Sequence, residues 1–430
     1  MRIHLKTLGC RLNEAELEAW SREFQARGHA MTGHAEEADL LVVNTCAVTE
    51  EAVRKSRKLL GRSNRQNPDA RLVVSGCFAS LDPNAALEME GVDLVVDNQD
   101  KERLVELVSE KLNLTVMSEA ATEPEATGRL EQGRQRAFIK VQDGCRYRCT
   151  FCIVTLARGE ERSRPVREVI AEINRLHSEG IREVVLTGVH IGGYGSDIGA
   201  SLAGLIRRIL NETDIPRLRI GSIEPWDLPG DFWSLFDNPR FMPHLHLPLQ
   251  SGSDSVLRRM ARRCRSDEYR QLLKQARRHV DDLNVTTDII VGFPGETEAE
   301  WRQTLDFVEE IGFGDLHIFA YSPRRGTKAV TLPDPVSREL KRQRSEALHR
   351  LNGHLRRQML KCHIGRTFPV LIEGQGVHGW SGYSPNYLRI SLETDIGDSL
   401  ENRIIMVRVD GLSADGRQLR GRLQADRHQQ

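Results

Sequence analysis

The chain has 430 residues, 39% hydrophobic and 28% charged, a composition that excludes a mostly disordered or collagen-like polymer. Its 61 Lys and Arg balance 61 Asp and Glu, which argues against a protein that coats nucleic acid through bulk charge and leaves local basic patches to consider. No stretch approaches the roughly 20 apolar residues of a membrane span, and Met1-Arg-Ile-His-Leu-Lys-Thr-Leu8 lacks the core of a signal peptide, so no membrane association and a cytoplasmic location are expected.

The length suggests about three domains. Residues 1–115 read as alternating strands and helices, with apolar, β-branched runs at Ile3–Leu8, Leu40–Val43, Arg71–Val74 and Val92–Val96. Leu17, Trp20 and Phe24 mark the face of an intervening helix closed by Gly28. Such alternation predicts a parallel sheet of Rossmann or flavodoxin-like type. Residues 116–135 lack apolar periodicity and read as a linker. From 136 to 360 the alternation resumes, with strands expected at Ala137–Val141, Val184–Thr187, Leu218–Ser222, His244–Leu247, Thr287–Val291 and Leu316–Tyr321. Pro165 opens one helix, and Thr297-Glu-Ala-Glu300 is a capping box ahead of another. Six strand–helix units predict a full or partial β/α barrel with its site at the C-terminal strand ends. Residues 331–360 read as a charged helix. Residues 361–430 read as a small all-β barrel with strands at Thr367–Ile372, Tyr387–Ser391, Arg403–Val409 and Leu419–Leu423.

Eight cysteines fall in what is expected to be a reducing compartment, where clustered thiols read as metal ligands or reactive groups. Cys145-Arg-Tyr-Arg-Cys149-Thr-Phe-Cys152 places three directly after a strand. Three thiolates bind three irons of a cubane and leave the fourth open, whereas a structural zinc site wants a fourth ligand at fixed spacing. The thiol count favours the open iron–sulfur cluster, although soft thiolates serve both metals. Cys10, Cys46 and Cys77 each follow one of the first three strands. They read either as buried apolar thiols or as a site on the carboxyl edge of the sheet, and the shared position favours the site. Cys264 and Cys362 match no pattern and read as ordinary thiols.

The Cys-x3-Cys-x-Phe-Cys segment, with Phe151 as its aromatic, resembles the signature of radical S-adenosylmethionine (SAM) enzymes. That resemblance implies a β/α barrel whose open iron chelates SAM and whose reduced cluster yields a 5′-deoxyadenosyl radical. Lys6-Thr-Leu-Gly-Cys10-Arg-Leu-Asn13, Val43-Asn-Thr-Cys46-Ala-Val-Thr49 and Ser75-Gly-Cys77 are similar to motifs of the methylthiotransferases. So are Thr187–Gly195, Ser222-Ile-Glu-Pro225, Leu247–Gly252 and Gly292-Phe-Pro-Gly-Glu296, and the C-terminal module resembles the RNA-binding TRAM barrel. Arg146 and Thr155-Leu156 depart from the usual pattern around the radical triad, where Asn and Pro are common.

The resemblance implies that Cys145, Cys149 and Cys152 hold a catalytic 4Fe–4S cluster and that Cys10, Cys46 and Cys77 hold an auxiliary one. Phe151, Thr187, Gly188, Val189, Glu224 and Gly292 are then expected in the SAM pocket. The motifs look most like the branch that methylthiolates threonylcarbamoyladenosine in tRNA, next to the anticodon. The other branches act on isopentenyladenosine in tRNA or on a ribosomal protein, and a non-catalytic iron–sulfur RNA-binding or redox protein is the reading from a different class. Implied partners are tRNA, a reductase or flavodoxin-type electron donor and a sulfur source. Nine Arg and Lys between Leu257 and Val280, and the run Arg158, Arg162, Arg164 and Arg167, read as solvated faces or RNA contacts. The final domain has nine basic against eight acidic residues, and its Trp380, Tyr383 and Tyr387 either stack on bases or pack its core. His190, His244 and His246 are further polar candidates, at least one of the last two being packed.

Overall fold

In the computed structural model, residues 1–114, 135–376, 379–392 and 399–424 are described. The expected linker at 116–135 lies outside them except for Gln135. The N-terminal region forms a five-stranded parallel sheet from β1 (Arg2–Thr7), β2 (Ala30–Met31), β3 (Leu40–Thr45), β4 (Arg71–Gly76) and β5 (Val92–Val96), in the order β2-β1-β3-β4-β5. Leu40–Val43 and Leu72–Val74 are almost wholly buried, as a parallel sheet covered on both faces requires. The helix Arg11–Ala26 buries Leu12, Trp20 and Phe24 on one side.

A β-hairpin pair, β7 (Gln142–Asp143) and β8 (Arg162–Ser163), brackets the Cys145–Cys152 loop just after β6 (Arg136–Lys140). β6 belongs to a parallel sheet with β9 (Glu183–Thr187) and β10 (Arg217–Ile220). A second parallel sheet joins β11 (His244–His246), β12 (Asn284–Val291) and β13 (Asp315–Ala320). Bridges Leu218–Phe241 and Ser222–His246 connect the two, giving an open, six-strand β/α barrel in chain order. All six expected strands are present, and the Thr297 capping box is formed. The charged helix starts at Arg338, later than expected, with Ser337 as its cap.

The C-terminal strands β14 (Thr367–Gly376), β15 (Gly379–Tyr383), β16 (Arg389–Leu392), β17 (Ile404–Leu412) and β18 (Leu419–Leu423) close into a barrel in the order β14-β15-β16-β18-β17. It is of TRAM type and caps the N-terminal ends of the central strands. Arg217 donates to Tyr383 O at 2.9 Å, and Arg219 donates to Pro385 O at 2.6 Å and Ser384 O at 3.0 Å. Fully buried Glu183 anchors this seat by accepting from Arg136 at 2.5 Å and Arg219 at 2.9 Å. Burial alone would raise its carboxyl, but Arg219, Arg136 and Arg217 override that and hold it down at about 2.

A second buried network joins the N-terminal sheet region to the barrel. Glu16 pairs with Lys101 of its own region and with Arg158 of the central region, the latter at 2.9 Å. Arg158 also donates to Asp143 Oδ1 at 3.0 Å and to Asn13 Oδ1 at 2.7 Å, and Lys140 reaches Asp143 at 2.7 Å. Glu16, Lys101, Arg158 and Asp143 are each no more than 3% exposed at the side chain. Burial opposes the charge on Glu16, yet Lys101, Arg158 and Lys140 hold its carboxyl well below the usual range.

Removing one member of such a set strands its partners in low dielectric, at a cost of about 3–5 kcal/mol. Arg158→Met and Glu183→Gln are each expected to lower the unfolding free energy read from urea melts by that order, whereas the exposed Arg342→Met is expected to change it by less than about 1 kcal/mol. The Glu183 contribution has a defined pH dependence. Its folded-state value lies below the unfolded one of about 4.3, so the stability is complete above that pH and is lost as pH falls from there toward 2. In Glu183→Gln that part of the acid transition is expected to vanish, which a pH series of urea melts measures.

Candidate functional site

The loop carrying Cys145, Cys149 and Cys152 leaves the barrel at Gly144, whose φ of +73° suits glycine and whose missing side chain lets Glu160 O approach to 1.8 Å of a Cβ position. Cys145 N donates to Gly159 O, Cys152 N to Cys149 O and Thr150 N to Met260 O, which pins the loop at both ends. Behind it, Tyr147 donates to Asp227 at 2.7 Å, and buried His190 bridges Glu161 and Asp227. Burial pulls the His190 imidazole down, but the two carboxylates prevail and raise it. Arg262 forks onto Glu224 at 2.6 and 3.1 Å and lies 3.9 Å from Cys149 Sγ. Burial pushes the Cys145 thiol up to about 11 and Cys152 to about 12, with neighbouring thiols adding to both. Phe151 packs edge-on against Phe293 at 6.5 Å, and the adjacent Gly292 N donates to Glu296 at 2.8 Å.

The second triad assembles from three adjacent strands. Cys10 follows β1, Cys46 follows β3 and Cys77 follows β4. Gly9, at φ +128°, would place a Cβ 2.9 Å from Cys46 Cβ, so only glycine lets the first loop close on the second cysteine. The Cys46 thiol is raised by burial and further by its neighbours Cys77 and Cys10. Asn98 Nδ2 lies 3.9 Å from Cys77 Sγ while donating to Ala157 O at 2.7 Å, and Cys10 Sγ lies 3.7 Å from Asn13 Oδ1. Asn13 and Asn98 thereby link this triad to the Arg158 network.

A cavity of about 1050 Å³ lies between the N-terminal region and the barrel, and Cys145, Cys149 and Cys152 are not among its lining residues. Cys10, Cys46 and Cys77 line it on one side and Thr187, Gly188 and Val189 on another; Val189 N donates to Gln142 Oε1 at 3.1 Å. Glu224 and Gly292 are not among the cavity's lining residues; Glu224 is tied to Cys149 through Arg262. A single zinc with bonds of about 2.3 Å draws its sulfurs to about 3.8 Å of one another. Among the described residues, the group of three His, Cys, Asp or Glu ligand atoms found within 4.8 Å of one another is His246, Asp288 and His317. The wider cysteine triads suit a polynuclear cluster.

Several sequence readings resolve here. The run Arg158–Arg167 divides: Arg158 is buried and Arg164 pairs with Glu172 at 2.7 Å, while Arg162 is 42% exposed and Arg167 is exposed. In the Leu257–Val280 segment, Arg259, Arg262 and Arg270 are neutralised by Glu300, Glu224 and Glu310. Trp380 packs the C-terminal core, while Tyr383 and Tyr387 stack on each other at 4.7 Å beneath Arg136. His244 stacks on Tyr387, and burial drives its imidazole well down. Arg262, Asn98, Asp288 and His317 were not singled out from sequence; their partners lie tens of residues away, and no local spacing marks them.

Residues 139–308 match the Radical SAM superfamily and residues 2–97 match the uncharacterized protein family UPF0004. The chain is 34% identical to the threonylcarbamoyladenosine tRNA methylthiotransferase MtaB of Bacillus subtilis, over 95% of this chain and 93% of that protein. It is likewise 34% identical to MtaB of Thermotoga maritima, over 96% and 95%. A tRNA-2-methylthio-N(6)-dimethylallyladenosine synthase of Bacillus pumilus is 34% identical over 87% of this chain and 76% of that one. The solved radical S-adenosylmethionine methyltransferase TsrM of Kitasatospora setae shares the fold, with a TM-score of 0.56 at 16% identity, covering 74% of this chain and 72% of that one. No helix among the described residues is long and apolar enough to cross a membrane. The radical SAM domain implies SAM and a 4Fe–4S cluster. The chain belongs to the radical SAM tRNA methylthiotransferases.

Proposed function

We propose that this enzyme replaces the C2 hydrogen of threonylcarbamoyladenosine, next to the anticodon of cytoplasmic tRNA, with a methylthio group. The observation that carries the reading is the shared cavity: three cysteines from separate strand ends face the Thr187–Val189 segment across one space. The branch assignment is supported by MtaB relatives that match end to end, where the dimethylallyl relatives match over a smaller share.

In this reading Cys145, Cys149 and Cys152 hold the radical cluster, and Cys10, Cys46 and Cys77 hold a second 4Fe–4S cluster. When bound, SAM and the clusters supply hydrogen abstraction from an unactivated C–H bond, a sulfur atom and a methyl group, chemistry that side chains do not furnish. Tyr147 and His190 fix the first loop from behind, and Arg262 sets its charge beside Cys149 and holds Glu224. Thr187, Gly188 and Val189 form the SAM side of the cavity, and Phe151, Glu224 and Gly292 complete the SAM pocket from outside its lining. Asn98 and Asn13 place a polar contact on the second triad. Electrons come from a reductase or flavodoxin-type donor, and sulfur from a separate source.

Nucleoside mass spectrometry of tRNA from a strain lacking the gene is expected to show loss of the methylthio-threonylcarbamoyl nucleoside and accumulation of its unmethylthiolated form; persistence of the product refutes the reading. In the reconstituted protein, Cys149→Ala is expected to abolish 5′-deoxyadenosine formation. Cys46→Ala is expected to keep that product and lose methylthiolation, and full methylthiolation by this variant would remove the second cluster from the account.

A further inference from the structure

One polar cluster on the cavity wall is used by neither cysteine triad. His246 ends β11, Asp288 lies in β12 and His317 in β13, on three neighbouring parallel strands, with Asp288 and His317 in register. His246 Nε2 and His317 Nδ1 each lie 3.1 Å from Asp288 Oδ1, and the imidazoles stack at 4.9 Å. His246 is fully engaged, since its Nδ1 meets Thr286 Oγ1 at 2.9 Å. His317 is not. Its Nδ1 is taken by Asp288, its Nε2 has no partner among the described residues, and its side chain is 58% exposed to the cavity side. No protein donor among the described residues reaches Asp288 Oδ2 either. The Asp288 hydrogen bond raises the His317 imidazole and outweighs burial.

The wall therefore presents one unmatched ring nitrogen beside one unmatched carboxylate oxygen. We propose that His317 and Asp288 form the subsite that reads the polar N6 substituent of the modified adenosine, His317 Nε2–H donating to an oxygen of that substituent and Asp288 Oδ2 accepting from its ureido N–H. The proposal rests on the threonylcarbamoyl reading above. A ureido group carries both N–H donors and a carbonyl acceptor within a few ångströms, and the attached threonine adds a carboxylate. Arg389 and Arg417 line the same cavity and carry positive charge that suits that carboxylate, while Arg356 there is paired with Asp315 at 3.2 Å. Phe319, two residues on from His317 and so on the same face of β13, is 47% exposed and offers a ring for the base to stack on.

The same pair acts against the competing substrate. An isopentenyl group is hydrocarbon and leaves both His317 Nε2–H and Asp288 Oδ2 unmatched once water is displaced. A site built to hydrogen-bond its substrate rejects an analogue lacking those groups far more strongly than an apolar pocket rejects an extra methylene. Specificity thus resides in two residues on adjacent strands, remote from every cysteine in sequence.

The test uses the reconstituted full-length protein with two anticodon stem-loops, one bearing threonylcarbamoyladenosine and one isopentenyladenosine. The wild type is expected to methylthiolate the first in preference to the second. His317→Phe is expected to lose roughly tenfold to hundredfold in kcat/KM on the first, mainly through KM, with the preference between substrates narrowed. His317→Gln, which retains a donor, is expected to recover part of that loss. Iron content and cluster absorption equal to wild type show that each variant is folded and loaded. A wild type active on the first stem-loop, with His317→Phe unchanged in kcat/KM and preference, overturns the subsite and leaves the proposed function standing. A wild type that modifies only the isopentenyl stem-loop overturns both. Stoichiometric zinc that survives dialysis against chelator in the wild type and is lost in His317→Phe would also overturn it, making the cluster a metal site.

Discussion

The pairing of Glu16 with Lys101 and Arg158, in the buried seam between the N-terminal sheet and the barrel, is the constraint on which the geometry of the site depends. Two cysteine triads carried by separate folding units act on one substrate only if the units keep a fixed separation. Apolar contact alone tolerates sliding, because burial is non-directional. A set of ion pairs with members no more than 3% exposed tolerates little, since displacement leaves charges unmatched in low dielectric. Through Asn13 and Asn98 the same seam touches the sulfurs of Cys10 and Cys77, and through Arg158 it ends the helix that follows Cys152. Domain docking and site geometry are therefore one arrangement.

The C-terminal barrel repeats the strategy at the other end of the strands. Glu183 gathers Arg136, Arg217 and Arg219; Arg217 and Arg219 donate to backbone carbonyls at Tyr383, Ser384 and Pro385, and Arg136 donates to the Tyr387 hydroxyl. The seat brings Tyr383, Tyr387 and Arg389 to the cavity that the cysteines line. A module that resembles an RNA-binding barrel thus contributes to the wall of the site as well as carrying its own outer surface.

The N-terminal strands, the barrel strands and the places of the cysteines along them were legible because each has a local signature: apolar runs of strand length, a cysteine just past a strand, and Cys-x3-Cys-x2-Cys in one loop. β2 escaped notice because two residues make no pattern, and β15 because Gly-Trp-Ser-Gly-Tyr has the composition of a turn. The run from Arg158 to Arg167 looked like a solvated or RNA-facing surface because sequence shows a charge and not its partner. The partners of Arg158 are Glu16, 142 residues away, and Asp143, 15 residues away, and only the fold joins them. His317 and Asp288 were hidden for the same reason, each being one polar residue in an otherwise ordinary strand.

The central claim is that the chain holds two iron–sulfur clusters, one on each cysteine triad. Anomalous diffraction at the iron edge from crystals of the anaerobically reconstituted protein tests it directly. The account predicts two cluster-sized peaks, one at Cys145, Cys149 and Cys152 and one at Cys10, Cys46 and Cys77. A single iron peak, or a lone zinc ion at the N-terminal triad, would contradict it.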